Sequence, residues 1–218
     1  MCTLAKVLAL RFGFRGAGLS VFLNDILAEL KAYEEYKYRD AVHNVETIRT
    51  NQELRSKLKN MIKSGDQFIA GRSGGVVGAI VPWHGAFAGV APAHIFYAAG
   101  TRDLRLGNLS SKVAYIPNDA DLAFFPIVGA CQPTELGKPH LGDVELKNAR
   151  HSMRCRISDT SWSIAYVVLP PGNLPGPGDS GSPLVQDGKV VGLLLSLNMH
   201  NWKGIAISAE MIKREMQA

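Results

Sequence analysis

The sequence of 218 residues is poor in cysteine and has no long uninterrupted apolar segment. Its three cysteines, Cys2, Cys131 and Cys155, are odd in number and lack CxxC spacing, which argues against a disulfide framework and against a zinc knuckle. We therefore expect a reducing compartment, the cytoplasm, rather than secretion. No apolar run approaches the roughly 18–20 residues of a membrane-spanning helix. Because Arg11 and Arg15 interrupt the first apolar residues, we do not expect a signal peptide.

Excess positive charge is confined to the first part of the chain. Residues 1–64 contain 11 basic and 7 acidic side chains, whereas residues 65–218 contain 13 basic and 12 acidic ones. Such a small excess does not indicate a nucleic-acid-binding arm. The acidic residues would also interrupt the basic face of a helix on a membrane surface. The sequence therefore favours neither nucleic acid nor a membrane as a partner.

Glycine and proline are absent between Leu19 and Ser64, and all 11 prolines lie at or beyond Pro82. Within this stretch, apolar residues recur at steps of three and four, as in an amphipathic helix. We predict an α-helical N-terminal extension over residues 1–64. Three roles for it stay open: packing against the rest of the protein, formation of a homo-oligomer, or docking of a partner protein.

From residue 65 the pattern changes to short apolar runs separated by Gly, Pro, Asn and Asp. Asp187-Gly188, between two such runs, predicts a tight β-hairpin, since both residue types tolerate a positive φ. Many short strands at this spacing indicate an antiparallel barrel or sandwich. We expect residues 65–218 to form a second, mainly β domain that ends in a short amphipathic helix.

The segment Gly178–Leu184, with the sequence GDSGSPL, has the composition of a loop that presents a nucleophile. Acyl transfer needs a hydroxyl on a tight turn, with backbone N–H groups directed at the oxygen that becomes negative. Gly178 allows the backbone to turn so that its N–H and that of Ser180 face one point. A surface turn that leads into a strand is the alternative interpretation.

This segment resembles the nucleophile loop of chymotrypsin-like serine proteases, whose chain order is His, Asp, Ser. Ala93-His94 matches the histidine turn of that family, although Pro92 stands where a small residue is usual. Asp121 opens the segment DLAFF, similar to the family's acid before an apolar strand. Asp119 is a rival for the acid.

The resemblance implies a role for each matched residue. Ser180 would be the nucleophile, His94 the general base and Asp121 the group that orients the imidazole. The N–H groups of Gly178 and Ser180 would form the oxyanion hole. No metal and no organic cofactor is expected. The implied fold is a pair of antiparallel six-stranded β-barrels, preceded by the α-helical extension.

The spacing of the matched residues is compact. His94 and Asp121 are 27 residues apart, and Asp121 and Ser180 are 59 apart. These intervals are similar to those of small viral serine proteases such as the arterivirus main protease. We therefore expect a serine endopeptidase that processes a viral polyprotein through an acyl-enzyme.

In this family, specificity for the residue before the scissile bond depends on a pocket beside the serine. The resemblance assigns the base of that pocket to Leu174 and its walls to Leu195, Ser196 and Gly204. Leu174 is not an acid, which disfavours Lys or Arg before the scissile bond, and the strand that ends in Leu195-Ser196 lacks the histidine typical of viral proteases that cut after Gln or Glu. An apolar or small residue is therefore expected before the scissile bond, with His200 on the next loop as the residue that could instead reach into the pocket.

Two alternatives remain. The chain could be a cellular trypsin-like or HtrA-like protease that its helical extension gates. It could instead be a catalytically silent or capsid-type protein that retains the fold and acts by binding. The two classes differ in one property, because only the enzymes depend on the hydroxyl of Ser180.

Overall fold

The computed structural model describes residues 61–172, 174–198 and 200–217. The predicted helical extension over residues 1–64 lies outside the described residues, apart from its last four. The boundary that we predict at residue 65 therefore stays a prediction. In the described part, Ile62 already belongs to the β domain, because it is buried and forms a parallel bridge with Cys131.

The described part consists mainly of short antiparallel strands. The strands are β1 (Gln67–Ala70), β2 (Ser73–Val76), β3 (Ala79–Trp83), β4 (Ala86–Ala91), β5 (Asp103–Leu106), β6 (Leu109–Lys112), β7 (Ala123–Pro126), β8 (Gly142–Lys147), β9 (Ser152–Thr160), β10 (Ile164–Val168), β11 (Pro183–Gln186), β12 (Lys189–Asn198) and β13 (Lys203–Ser208). Two short helices accompany them, α1 (His94–Ala99) and α2 (Ala209–Glu215). The mainly β class that the sequence predicts is confirmed.

The second half of the domain is a closed six-stranded barrel with the strand order β10-β13-β12-β11-β8-β9. Alternation along β9 directs Cys155 and Ile157 into the interior, as the two-residue period of a strand requires. The predicted hairpin at Asp187-Gly188 joins β11 to β12, and both residues have positive φ, 52° and 78°. This barrel is the one that we expected in the second half.

The first half differs from the prediction of a second six-stranded barrel. Its seven strands form two separate sheets, with the orders β2-β1-β5-β6 and β3-β4-β7. The chain passes from one sheet to the other at Val77 and Gly78, whose N–H groups donate to Asp66 and Val90 rather than to a neighbouring strand of the first sheet. The two-barrel prediction is therefore confirmed for one barrel only.

Aromatic rings fill the core of the first half. Phe68 and Phe96 stack with their centroids 5.4 Å apart, and Phe125 contacts both rings at an angle. Because Phe68 lies on β1, Phe96 on α1 and Phe125 on β7, this cluster connects the two sheets through the helix that carries His94.

A second apolar cluster joins the two halves and includes the terminal helix. It unites Val81, Val90 and Phe124 of the first half with Leu193 of the barrel and Ile212 of α2. The predicted C-terminal helix is thus present. The described helices are too short and too polar to cross a membrane.

Candidate active site

His94 and Asp121 are joined by two hydrogen bonds. His94 begins α1, directly after β4, and Asp121 stands two residues before β7, which pairs with β4. The imidazole Nδ1 lies 2.6 Å from one carboxylate oxygen of Asp121, and the backbone N–H of His94 donates to the other at 2.8 Å. Since Nδ1 is engaged, Nε2 is the ring nitrogen that can exchange a proton with another group.

Two opposing effects act on the carboxyl of Asp121. Burial raises its pKa, but hydrogen bonds from the ring and the backbone of His94, with the attraction of the imidazolium charge, outweigh it. The net result is a pKa below the usual value, so that Asp121 is ionised at neutral pH. An ionised Asp121 can hold the His94 ring in one tautomer and stabilise it when it becomes protonated.

The rival acid, Asp119, lies elsewhere. Its carboxylate is 66% exposed and accepts a 2.7 Å hydrogen bond from Arg214 of α2. Asp121, rather than Asp119, is therefore the acid that the structure brings to His94.

Ser180 stands in the turn that precedes β11, and its backbone is held from two sides. The carbonyl of Ser180 accepts from the N–H of Val76 at 2.9 Å, while the next N–H, that of Gly181, donates to Leu194 at 2.7 Å. The Ser180 hydroxyl lies 3.5 Å from the carbonyl of Leu195, a long hydrogen bond. No hydrogen bond joins Ser180 to His94 among the described residues.

Gly181 and Pro92 bring the serine turn against the histidine segment. Gly181 has a φ of +94°, and an added methyl group would collide with the carbonyl oxygen of Val76 and lie 2.9 Å from Cδ of Pro92. Pro92, which departs from the family pattern, is buried in this contact. A glycine is thus required here both by backbone conformation and by space.

The N–H groups of Gly178 and Ser180 are available to a ligand. Among the described residues neither donates to a protein acceptor, whereas the N–H of Asp179 between them donates to the carbonyl of Gly176 at 3.0 Å. Gly178 has a φ of +88°, a conformation that glycine adopts without strain. Two unused N–H groups that flank a hydroxyl can stabilise an oxyanion.

Asp179 is a buried anion in the serine turn, and its neighbours were not predicted. Its side chain is only 2% exposed and contacts the Nε2 of His151 at 3.0 Å and the Nε of Arg150 at 3.3 Å. The N–H of Gly176 donates to the same carboxylate at 2.8 Å. Because a buried charge is tolerated only with such compensation, these contacts fix the turn that carries Ser180.

The amide of Asn148 extends this network. It donates to the Ser182 hydroxyl at 2.6 Å and to Asp179 at 3.3 Å, while the Ser182 hydroxyl donates to the Asp179 carbonyl at 2.6 Å. The Nδ1 of His151 is buried without a hydrogen-bond partner in the described part of the chain. No motif in the sequence marks residues 148–151, since their role depends on contact with a loop some 30 positions away.

The residues predicted to line the specificity pocket lie on neighbouring elements of the barrel. Leu195 is displaced from the regular ladder between β12 and β13, so that its carbonyl reaches Ser180. Ser196 is exposed next to it, and Gly204 is buried on β13 opposite Leu197. Leu174 is half-buried and packs against the barrel core.

The described histidines outside this region are not grouped as metal ligands. His140 lies on the surface, where its Nε2 is 3.0 Å from the carboxylate of Asp187. This hydrogen bond raises the pKa of His140. Within the residues that the structure describes, no group of three or more His, Cys, Asp or Glu side chains has the arrangement of metal ligands.

Comparison with known proteins gives matches of structure but not of sequence. No protein-family model and no curated protein sequence matches the chain. The Nocardiopsis protease superposes with a TM-score of 0.57 and 13% identity over 72% of this chain and 96% of its own. Protease A of Thermobifida fusca superposes with a TM-score of 0.52 and 15% identity, over 68% of this chain and 90% of its own. The serine endoprotease of Yersinia pestis superposes with a TM-score of 0.54 and 19% identity, over 71% of this chain and 62% of its own.

These identities are low, so that the matches establish the fold and leave the activity to the chemistry of the site. The described part of this chain has the chymotrypsin-like fold.

Proposed function

We propose that the protein is a serine endopeptidase that hydrolyses peptide bonds through an acyl-enzyme. The observation that carries this proposal is the His94–Asp121 pair, joined at 2.6 Å in the half of the domain that packs against the Ser180 turn. The resemblance of the motifs and the chymotrypsin-like fold support it independently.

In the proposed reaction, the Nε2 of His94 accepts the proton of the Ser180 hydroxyl as its oxygen attacks the substrate carbonyl carbon. The Ser180 side chain must first rotate away from the carbonyl of Leu195, and such loose geometry is common before substrate binds. The N–H groups of Gly178 and Ser180 hold the oxyanion. Asp121 stabilises the protonated imidazole.

Breakdown of the first tetrahedral intermediate reverses the direction of proton transfer. His94 gives its proton to the leaving amine, the C–N bond breaks, and an ester to Ser180 remains. Water then attacks this ester while His94 accepts its proton. When the second tetrahedral intermediate collapses, His94 returns this proton to the Ser180 oxygen, which releases the acid product and restores the Ser180 hydroxyl.

The proposed substrate is a protein with an apolar or small residue before the scissile bond. None of the residues assigned to this pocket, Leu174, Leu195, Ser196 and Gly204, is charged. We further propose the processing of a viral polyprotein, which the compact spacing of His94, Asp121 and Ser180 supports. A cellular protease with a gating extension is the alternative within the same chemistry.

A fluorophosphonate probe, which esterifies only an activated serine, tests the proposal. We expect labelling of the full chain, its loss in Ser180→Ala, and a large reduction in His94→Ala. Ser158→Ala is the matched control, because it removes an exposed hydroxyl on β9 that is assigned to no part of the site. A chain that is folded by circular dichroism but takes up no probe would contradict the proposal and favour a silent protein with this fold.

A further inference from the structure

A cleft of about 450 Å³ lies beside Gly178, against the β1–β2 hairpin and the β5–β6 hairpin. We call it the arginine cleft. It is lined by Gln67, Phe68, Ile69, Gly74, Gly75, Arg105, Gly107, Arg150 and Gly178. None of these residues is acidic, and two are arginines.

From the side of the first half of the domain, the arginine cleft borders Gly178, one of the two residues assigned to the oxyanion hole. Gly74 of β2 approaches Gly178 so closely that an added methyl group would lie 3.8 Å from the Gly178 Cα. The residues assigned to the walls of the specificity pocket belong instead to the barrel, on β12 and β13. A substrate whose acyl part contacts the barrel therefore extends its leaving part toward the arginine cleft.

Arg150 is held in place within the cleft. Its Nε contacts the carboxylate of Asp179 at 3.3 Å. With its amide oxygen facing the guanidinium, Gln67 accepts from Nη2 at 2.8 Å. The side chain is nevertheless 48% exposed, and a methyl group on Gly178 would lie 2.8 Å from Nη2. A preorganised, half-exposed guanidinium next to the oxyanion hole is suited to a second carboxylate.

Arg105 supplies the other positive charge. It lies on β5, directly opposite Ile69 of β1, with its side chain on the exposed face. None of the ion pairs between described residues includes Arg105. The apolar side chain of Ile69, which also lines the cleft, is 52% exposed and can contact the aliphatic part of a bound residue.

We propose that the arginine cleft binds an aspartate or glutamate of the substrate, one or two residues after the scissile bond. This inference rests on the proposed function. It assigns a preference on the leaving-group side of the cleavage site, where the motif resemblance implies none. Because the charges are partly exposed, the preference weakens as the salt concentration rises.

The test begins with a peptide library prepared from a whole proteome. Mass spectrometry of the new N-termini should show Asp and Glu enriched at the first or second position of the products. A cleaved sequence is then made as a matched pair of fluorogenic peptides that differ only as Glu or Gln at that position. We expect the Glu peptide to have a kcat/KM roughly fivefold higher, an effect typical of a partly exposed ion pair.

Variants identify the cleft as the cause. In Arg105→Gln the ratio of kcat/KM for the two peptides should fall toward one, whereas Arg156→Gln, which removes an exposed arginine from β9, should keep it. The charge reversal Arg105→Glu should favour a third peptide with Lys at that position. Because each ratio is taken within one variant, a change in overall activity or in the folded fraction cancels.

The outcomes separate this inference from the proposed function. An activated ester that has no peptide on the leaving side reports Ser180 chemistry alone. Ester hydrolysis that depends on Ser180, without enrichment of Asp and Glu in the library, would overturn the proposed role of the arginine cleft but would agree with the proposed protease activity. Loss of both ester hydrolysis and probe labelling would overturn the protease and the cleft together.

Discussion

The two halves of the domain hold their share of the site by different means. The first half, made of two sheets, presents His94 and Asp121 through two hydrogen bonds at a partly exposed position. The closed barrel holds Ser180 in a turn whose carboxylate, Asp179, is almost fully buried among charged and polar groups. The proton-transfer pair is thus accessible, whereas the turn behind the nucleophile is rigid.

This difference implies that substitutions of His94 or Asp121 lower catalytic activity more than stability. Substitutions of Asp179 in the serine turn should instead have their main effect on stability. Partly exposed hydrogen bonds contribute little to folding, because water replaces them. A buried charge that loses its partners is strongly destabilising.

Asp121→Asn should give the largest effect. We expect kcat to fall by about 10⁴-fold, since an amide holds the imidazole in the wrong tautomer, while the urea midpoint changes little. Peptidase assays and urea denaturation on one preparation measure both quantities. A fall in the free energy of unfolding as large as the rise in the activation free energy of the reaction would contradict the contrast between the halves.

Asp179→Ala addresses the other side of the contrast. Removal of this carboxylate leaves the buried Nε2 of His151 and the N–H of Gly176 without an acceptor, and should lower the free energy of unfolding by about 3 kcal/mol. Urea denaturation measures it. Asp119→Ala is the matched control, because it breaks an exposed ion pair and should change stability far less.

Gly181→Ala separates steric collision from backbone strain. Gly181 and Gly188 both have positive φ, +94° and +78°, but only a methyl group at Gly181 meets other atoms. Strain alone should lower the free energy of unfolding of Gly188→Ala by about 1 kcal/mol. In Gly181→Ala the collision should lower the free energy of unfolding by about 2 kcal/mol beyond that strain, as overpacking typically does. Equal midpoints for the two variants would show that the serine turn is looser than the structure indicates.

How far the sequence predicts this molecule depends on whether a feature is local. His94, Asp121 and Ser180 stand in short motifs, so that their candidacy is visible in the sequence, and Asp187-Gly188 marks its own hairpin. The arrangement of the first half was not predicted correctly, because alternation identifies strands but not their ladder partners.

Contacts between distant segments were missed for the same reason. Pro92 looked like a departure from the family pattern, yet it packs against Gly181, 89 positions further along the chain. His151 carries no motif, and its contact with Asp179 exists only because β8 and β11 are neighbours in the barrel. Such residues become identifiable only when the fold is known.

Acid should act on the first half through Asp121. Because its pKa in the folded protein lies below the unfolded value, its ionised form stabilises the fold above the unfolded pKa, and this contribution disappears as the pH falls through the folded pKa. Stability measured between about pH 6 and pH 2 should therefore decrease slightly more in the wild type than in Asp121→Asn, in keeping with the small change of the urea midpoint. Parallel curves would mean that the carboxylate does not contribute to folding.

The smallest expected effect is a difference in reactivity between two thiols, that of Cys155 in the barrel and that of Cys131, which packs against the core of the first half. Cys155 is buried in the barrel wall, where burial raises its pKa to about 11. At pH 8 only about one Cys155 in a thousand is then the reactive thiolate.

Cys131, in the segment that follows the first half, is partly exposed, and burial raises its pKa less. Iodoacetamide should therefore modify Cys131 well before Cys155 in the native protein, and both at similar rates in urea, as peptide mass spectrometry can measure. Rapid native labelling of Cys155 would mean that the barrel opens often, and that the rigidity assigned to the nucleophile's half of the site is overstated.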